Sequence, residues 1–171
     1  MNGGRPVAME PGDLDGRGLR VAVVAARFNS GVTDRLAEGA LQVLRARGVA
    51  EEDVLLCRVP GAFELAPTAR RLARGGAFDA VVCLGAVIEG GTDHYRYVCD
   101  AATAGLTRLA QDAAEWGVHG VAVVFGVLTT RTLGQAEARA GGSEGNKGED
   151  AALAALELAR LWQRLDAETG A

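Results

Sequence analysis

An alternation constrains this chain more than any other feature. Val-rich apolar runs of strand length, Leu19–Ala26, Val54–Val59, Asp79–Ala86 and Val121–Leu128, are each followed by a stretch of helical period. Runs that are apolar on consecutive positions belong to strands covered on both faces. Between them, Val32, Leu36, Ala40, Val43 and Leu44 share one helical face, which Gly48 ends. Leu65–Arg74 predicts a second helix, with Pro67 in its first turn. Thr92 is the expected N-cap of a long third helix carrying Cys99, Ala102, Leu106, Leu109, Ala110 and Ala113 on one face. Leu133–Ala140 and Asp150–Asp166 predict two more helices on either side of a glycine-rich joint. Repeated strand–helix units of this kind make an α/β domain with a mainly parallel four-stranded sheet and helices on both faces.

Length and composition bound the rest. A chain of 171 residues suits one domain, here 19–171, preceded by an N-terminal tail over 1–18 rich in glycine and proline. With 49% apolar and 23% charged residues it can bury a full core. The longest apolar stretches, Val21–Ala26 and Val121–Phe125, are too short to span a bilayer, and the first twenty residues lack the apolar run of a signal peptide. Cys57, Cys83 and Cys99 form an odd set without metal-ligand spacing, which points to a reducing, cytoplasmic setting. A net charge of −4, with no basic cluster beyond Arg70, Arg71 and Arg74, argues against nucleic acid. Of 18 basic residues only Lys147 is a lysine. A lone ammonium in an Arg-biased chain marks either a position that needs one or the drift of composition.

Parallel sheets bind ligands at the carboxyl ends of their strands, and the unusual residues cluster there. Phe28 and Phe63 each follow a strand end, either as rings that stack on a planar heterocycle or as core that covers the sheet. Glu64 can accept hydrogen bonds from sugar hydroxyls, or serve only as an acid in a helix's first turn. Gly90, Gly91 and Thr92 open a long helix, where free amides suit a phosphate but also make an ordinary turn. His94 is placed for proton transfer, whereas His119 precedes a strand and reads as a solvated turn residue. Arg139 offers a fork of donors to an anion. Two distant histidines and scattered cysteines provide no metal site.

Six ordered blocks carry a family resemblance: Arg27-Phe28-Asn29, Val59 to Glu64, Gly85 to Ile88, Thr92-x-His94-Tyr95, Phe125 to Thr130, and Gly145 to Gly148. Together, from about residue 19 onwards, the chain resembles lumazine synthases, a flavodoxin-like α/β family. The resemblance implies condensation of 5-amino-6-(D-ribitylamino)uracil with 3,4-dihydroxy-2-butanone 4-phosphate to 6,7-dimethyl-8-ribityllumazine, in riboflavin synthesis, without cofactor or metal. It implies that Phe28, Ala62, Phe63, Glu64, Ala86, Val87, Ile88 and Phe125 hold the pyrimidine and its ribityl chain, with Lys147 close by. Gly91, Thr92 and Arg139 would grip the phosphate, and His94 would move protons. It also implies a homopentamer with sites between subunits, Phe125 and Arg139 facing across the boundary. The joint around Gly141–Lys147 has no insertion, which permits an icosahedral shell of pentamers, and a riboflavin synthase is a candidate partner.

Three departures from the family pattern stand out. Glu89 occupies a position that is more often basic, Ala138 one that is often acidic, and Gln111–Gly120 is a few residues longer. The rival readings are an inactive scaffold, an enzyme for a neighbouring pyrimidine or ketose phosphate, and a flavin-binding module of the same fold.

Overall fold

The computed structural model describes residues 7–10 and 14–170. Four parallel strands form the central sheet: β1 (Val21–Ala26), β2 (Val54–Val59), β3 (Ala80–Ile88) and β4 (Ala122–Thr130), in the order β2-β1-β3-β4. The helices between and after them are α1 (Ser30–Ala46), α2 (Leu65–Arg74), α3 (His94–Ala113), α4 (Leu133–Ala138) and α5 (Lys147–Thr169). A short hairpin, β5 (Ala140–Gly142) with β6 (Gly145–Asn146), joins α4 to α5.

The apolar runs face both ways because the sheet has two cores. Val21, Val23 and Ala25 of β1, with Ala80, Val82, Leu84 and Ala86 of β3, pack under α1 and α5. The alternate residues Ala22, Val24 and Ala26, with Val81, Cys83 and Val87, pack under α2 and α3. Each fully buried Val or Leu contributes about 1.5–3 kcal/mol. α1 and α5 approach closely because glycines meet there. A Cβ on Gly148 would stand 1.9 Å from the Leu36 carbonyl oxygen, and one on Gly39 would meet the Asn146 side chain at 2.4 Å. Among the described residues, no helix is long and apolar enough to cross a membrane.

Several boundaries differ from expectation. The third helix begins at His94, with Asp93 at the cap position and no side-chain cap bond, so Thr92 lies in the preceding turn. The fourth helix stops at Ala138, because Ala140 and Gly142 leave the helix to pair with β6. α5 starts at Lys147 and reaches Thr169, capped by the Asn146 side chain, which accepts from the Gly148 N–H at 2.8 Å. His119 is not a free turn residue: its Nδ1 lies 2.6 Å from Asp166 Oδ2, tying the turn before β4 to the end of α5.

The expected tail falls in part on residues 1–6 and 11–13, which lie outside the described residues. Of the remainder, Met9 and Leu14 are buried. Arg160 of α5 donates to the carbonyls of Asp15 (2.8 Å) and Arg17 (2.6 Å), and Arg164 donates to that of Ala8 (2.9 Å). Residues 7–10 and 14–18 are thus strapped to α5.

Candidate active site

The strand order places a topological switch between β1 and β3, from which the following connections leave towards opposite faces. Such switch points open a crevice at the strands' carboxyl ends. A cavity of about 540 Å³ occupies that crevice. Phe28 enters it from the end of β1, and Pro60–Glu64 from the loop after β2. Ala86–Ile88 come from the end of β3, Gly90 and Thr92 from the following turn, and His94, Tyr95 and Val98 from the first turns of α3.

Local bonding fixes these loops. The N–H groups of Arg27 and Phe28 donate to the carbonyls of Val59 (2.7 Å) and Pro60 (3.0 Å), so the chain after β1 runs beside the chain after β2. Residues 62–64 form a tight helical turn that leads Glu64 into α2. A Cβ added to Gly61 would stand 3.3 Å from Glu64 Oε2, so the carboxylate lies back over that glycine, on the cavity wall. Beyond β3, the Glu89 N–H donates to the Thr130 carbonyl at 2.8 Å, which continues the β3–β4 ladder to the edge of the glycine turn.

The open question about the aromatic rings is answered by exposure. Phe28 is 71% and Phe63 61% exposed, so neither ring is core in this chain, and both present apolar area to the crevice. The floor is different: Ala62, Ala86 and Val87 are buried. A wall of two rings over a small-residue floor suits a flat heterocycle, whose polar edges adjacent backbone groups can read.

His94 is exposed on the opposite side as the first residue of α3. Thr92 shares the lining with it, while Gly91 sits one residue outside the lining on the same exposed turn. Tyr95 and Val98 complete this wall; Val98, four residues beyond His94 and three beyond Tyr95, stands at the helical spacing by which the sequence could have shown it. Partial burial, with Cys99 and Glu89 as neighbours, raises the Tyr95 hydroxyl above its ordinary value, and burial likewise raises the Cys99 thiol.

Three of the expected residues lie elsewhere in the subunit. Phe125 and Lys147 line a second concavity of about 280 Å³ between β4 and α5, with Asp150 and Ala151. Lys147 Nζ pairs with Asp150 Oδ2 at 2.6 Å. Arg139, at the end of α4, donates from Nη1 to the Gln135 carbonyl at 3.1 Å, and its own carbonyl accepts from the Lys147 N–H. Phe125 is 45% exposed although it sits in mid-strand, because β4 is an edge strand.

An α/β fold with a crevice at its switch point, gathering two exposed rings, a carboxylate, a glycine turn and a histidine, has the layout of a small-molecule site. The sequence matches the 6,7-dimethyl-8-ribityllumazine synthase family model over residues 18–163. It is 44% identical, over 90% of its length and 95% of the relative's, to a 6,7-dimethyl-8-ribityllumazine synthase of Desulfatibacillum aliphaticivorans. The chain belongs to the 6,7-dimethyl-8-ribityllumazine synthase family, transferases of riboflavin biosynthesis.

Proposed function

We infer that the family's condensation of 5-amino-6-(D-ribitylamino)uracil with 3,4-dihydroxy-2-butanone 4-phosphate takes place in the 540 Å³ cavity, with His94 moving the protons. The observation that carries this reading is the convergence of Phe28, Phe63, Glu64, Thr92 and His94, from three separate segments, on one crevice. Phe28 and Phe63 flank the pyrimidine over Ala62, Ala86, Val87 and Ile88, and Glu64 accepts from ribityl hydroxyls. Gly91 and Thr92, before the α3 N-terminus, hold the phosphate through free amides and a hydroxyl.

The uracil's 5-amine attacks the ketone and the carbinolamine loses water to give a Schiff base. The imine's α-proton leaves as phosphate is expelled from the neighbouring carbon, and the resulting enol takes a proton at its terminal carbon to become a ketone. The ribityl-bearing amine then closes the ring on the new carbonyl with loss of a second water. The two condensations and the elimination each move a proton, and His94 at the cavity wall supplies and removes it. Juxtaposing two substrates in one enclosed site supplies much of the remaining rate.

Phe125, Lys147 and Arg139 form a second group outside the cavity of their own subunit, which supports a site completed across a subunit boundary. Phe125 and Lys147 would close the pyrimidine end of a neighbour's cavity, and Arg139 would reach its phosphate. A homopentamer satisfies this arrangement. The uninterrupted hairpin at β5–β6 is compatible with packing of pentamers into an icosahedral shell, to which a riboflavin synthase can associate. The longer connection around Val118, 89% exposed, works against closure of such a shell. Three unpaired cysteines support a reducing, cytoplasmic setting.

The test is purified protein with both substrates, following lumazine absorbance and phosphate release together. Stoichiometric formation of both supports the assignment. An absence of product above the uncatalysed rate, from protein shown to be oligomeric, would return the scaffold reading.

A further inference from the structure

Asn29 is the single non-glycine residue in the left-handed region among the described residues, at φ 59° and ψ 46°. Its neighbours explain why the chain turns there. The β1–β3 ladder ends at the pair Ala25–Leu84, while β3 runs on to Ile88. Beyond that last rung, Asn29 Nδ2 donates to the Ala86 carbonyl at 2.8 Å, across 57 positions of sequence. The Asn29 carbonyl meanwhile accepts from Val32 (2.9 Å) and Thr33 (3.0 Å), which starts α1. One residue thus closes the open end of the ladder, reverses the chain and nucleates a helix. Phe28 stands immediately before it, its own N–H held by the Pro60 carbonyl and its ring 71% exposed towards the cavity.

We propose that Asn29 is the positioning residue for Phe28: its left-handed backbone and its amide bridge to Ala86 hold the Phe28 ring at a fixed height over the β3 floor. The inference rests on the reading of Phe28 as the stacking wall for the pyrimidine. A ring that is mostly exposed has little packing of its own to orient it, so its aim comes from the backbone on either side. On the N-terminal side that is the bond to Pro60. On the C-terminal side it is Asn29, whose partner Ala86 is itself part of the floor. Asparagine suits this position because its short amide tolerates the left-handed region and supplies a donor. Glycine would keep the turn and lose the bridge, and aspartate would put an acceptor against the Ala86 carbonyl.

The experiment compares Asn29→Gly, Asn29→Asp and Phe28→Ala with wild type, measuring both KM values, kcat and the melting temperature. Both Asn29 variants are expected to raise KM for the pyrimidine by about threefold to tenfold, the range of one lost hydrogen bond. KM for the ketose phosphate should stay within about twofold, since its binding turn is untouched. A merely structural role would lower the melting temperature and leave the ratio of the two KM values unchanged, which overturns the proposal. The double variant Phe28→Ala/Asn29→Asp should be no worse in pyrimidine KM than Phe28→Ala, because Asn29 acts through the ring; additive losses overturn the proposal. If Phe28→Ala itself leaves the pyrimidine KM unchanged, the stacking reading fails and takes the inference with it. If Phe28→Ala raises that KM while both Asn29 variants match wild type, the inference alone fails.

Discussion

The backbone N–H of Lys147 donates to the carbonyl of Arg139 at 2.8 Å, so the chain's only lysine and one of its seventeen arginines are held side by side by a hairpin eight positions long. With Phe125 they lie outside the cavity of their own subunit, and the proposed function uses them to complete a neighbour's. Arg139→Ala is therefore expected to raise KM for the ketose phosphate by about tenfold or more, the loss of a charge-assisted hydrogen bond, with little change for the pyrimidine. Subunit mixing gives a sharper check. His94→Ala and Arg139→Ala proteins, each impaired alone, should recover activity when dissociated and reassembled together, because some boundaries then carry both intact residues. No recovery from verified mixed oligomers would place the two residues in one subunit's site.

The His94 side chain is exposed, so its removal costs the fold little. His94→Ala should lower kcat by about 10²–10⁴-fold, the range of general acid–base catalysis, with a smaller change in either KM and an unchanged melting temperature. A wild-type rate across the pH range would remove it from the chemistry.

Two groups set opposite pH limits on stability. Hydrogen bonds from the Arg17 guanidinium and backbone hold the Asp15 carboxyl down to about 2, from an ordinary 3.8. The folded state binds fewer protons than the unfolded one between those values, so this contribution is present above pH 3.8 and lost as pH falls towards 2. Burial pushes the Cys83 thiol up to about 12 from 9.0, so the folded state resists its ionisation and stability declines as pH rises from 9 towards 12. Urea unfolding at stepped pH should show Cys83→Ala with a shallower alkaline decline, and Arg17→Ala with lower stability above pH 3.8 and a shallower acid decline towards pH 2. The native Cys83 thiol should also react with a thiol reagent only at the rate of unfolding.

Glu89 departs from the family pattern at a sensitive place, yet its side chain is exposed and absent from the cavity lining. A charge in water at that position is largely screened. Glu89→Gln should leave KM for the ketose phosphate within about twofold at physiological salt. A tenfold drop would show that the carboxylate faces the phosphate.

The four strands were legible as apolar runs, and the two-sided cover holds for the central β1 and β3, whereas the edge strand β2 leaves Leu55 and Leu56 about 40% exposed. The crevice's location followed, since Phe28, Glu64 and His94, which all line it, sit where those runs end. What the sequence left open was direction. Phe28 and Phe63 had the same composition as core rings, and only their 71% and 61% exposure separates the readings. Caps were the weakest point: Thr92 has the chemistry of an N-cap, but the turn places Asp93 there and α3 starts without a side-chain bond. The glycine-rich joint was visible, whereas the pairing of Ala140–Gly142 with Gly145–Asn146 that shortens α4 depends on backbone bonds no side chain announces. His119 looked solvated because its partner, Asp166, lies 47 positions away.

Gly148 sits one residue from Lys147, at the point where α5 meets the Leu36 carbonyl. Gly148→Ala should destabilise by about 1–3 kcal/mol, as overpacking of a backbone contact does, read by denaturant midpoint.

In a saturation library scored for both abundance and growth without the pathway's product, that contact has a distinctive consequence. Every replacement at Gly148 adds at least a Cβ, so the position should be depleted in both scores whatever the chemistry of the newcomer. His94 should be depleted in growth alone. Two positions that look equally intolerant to a single readout would then separate, one guarding the shape of the molecule and the other its use.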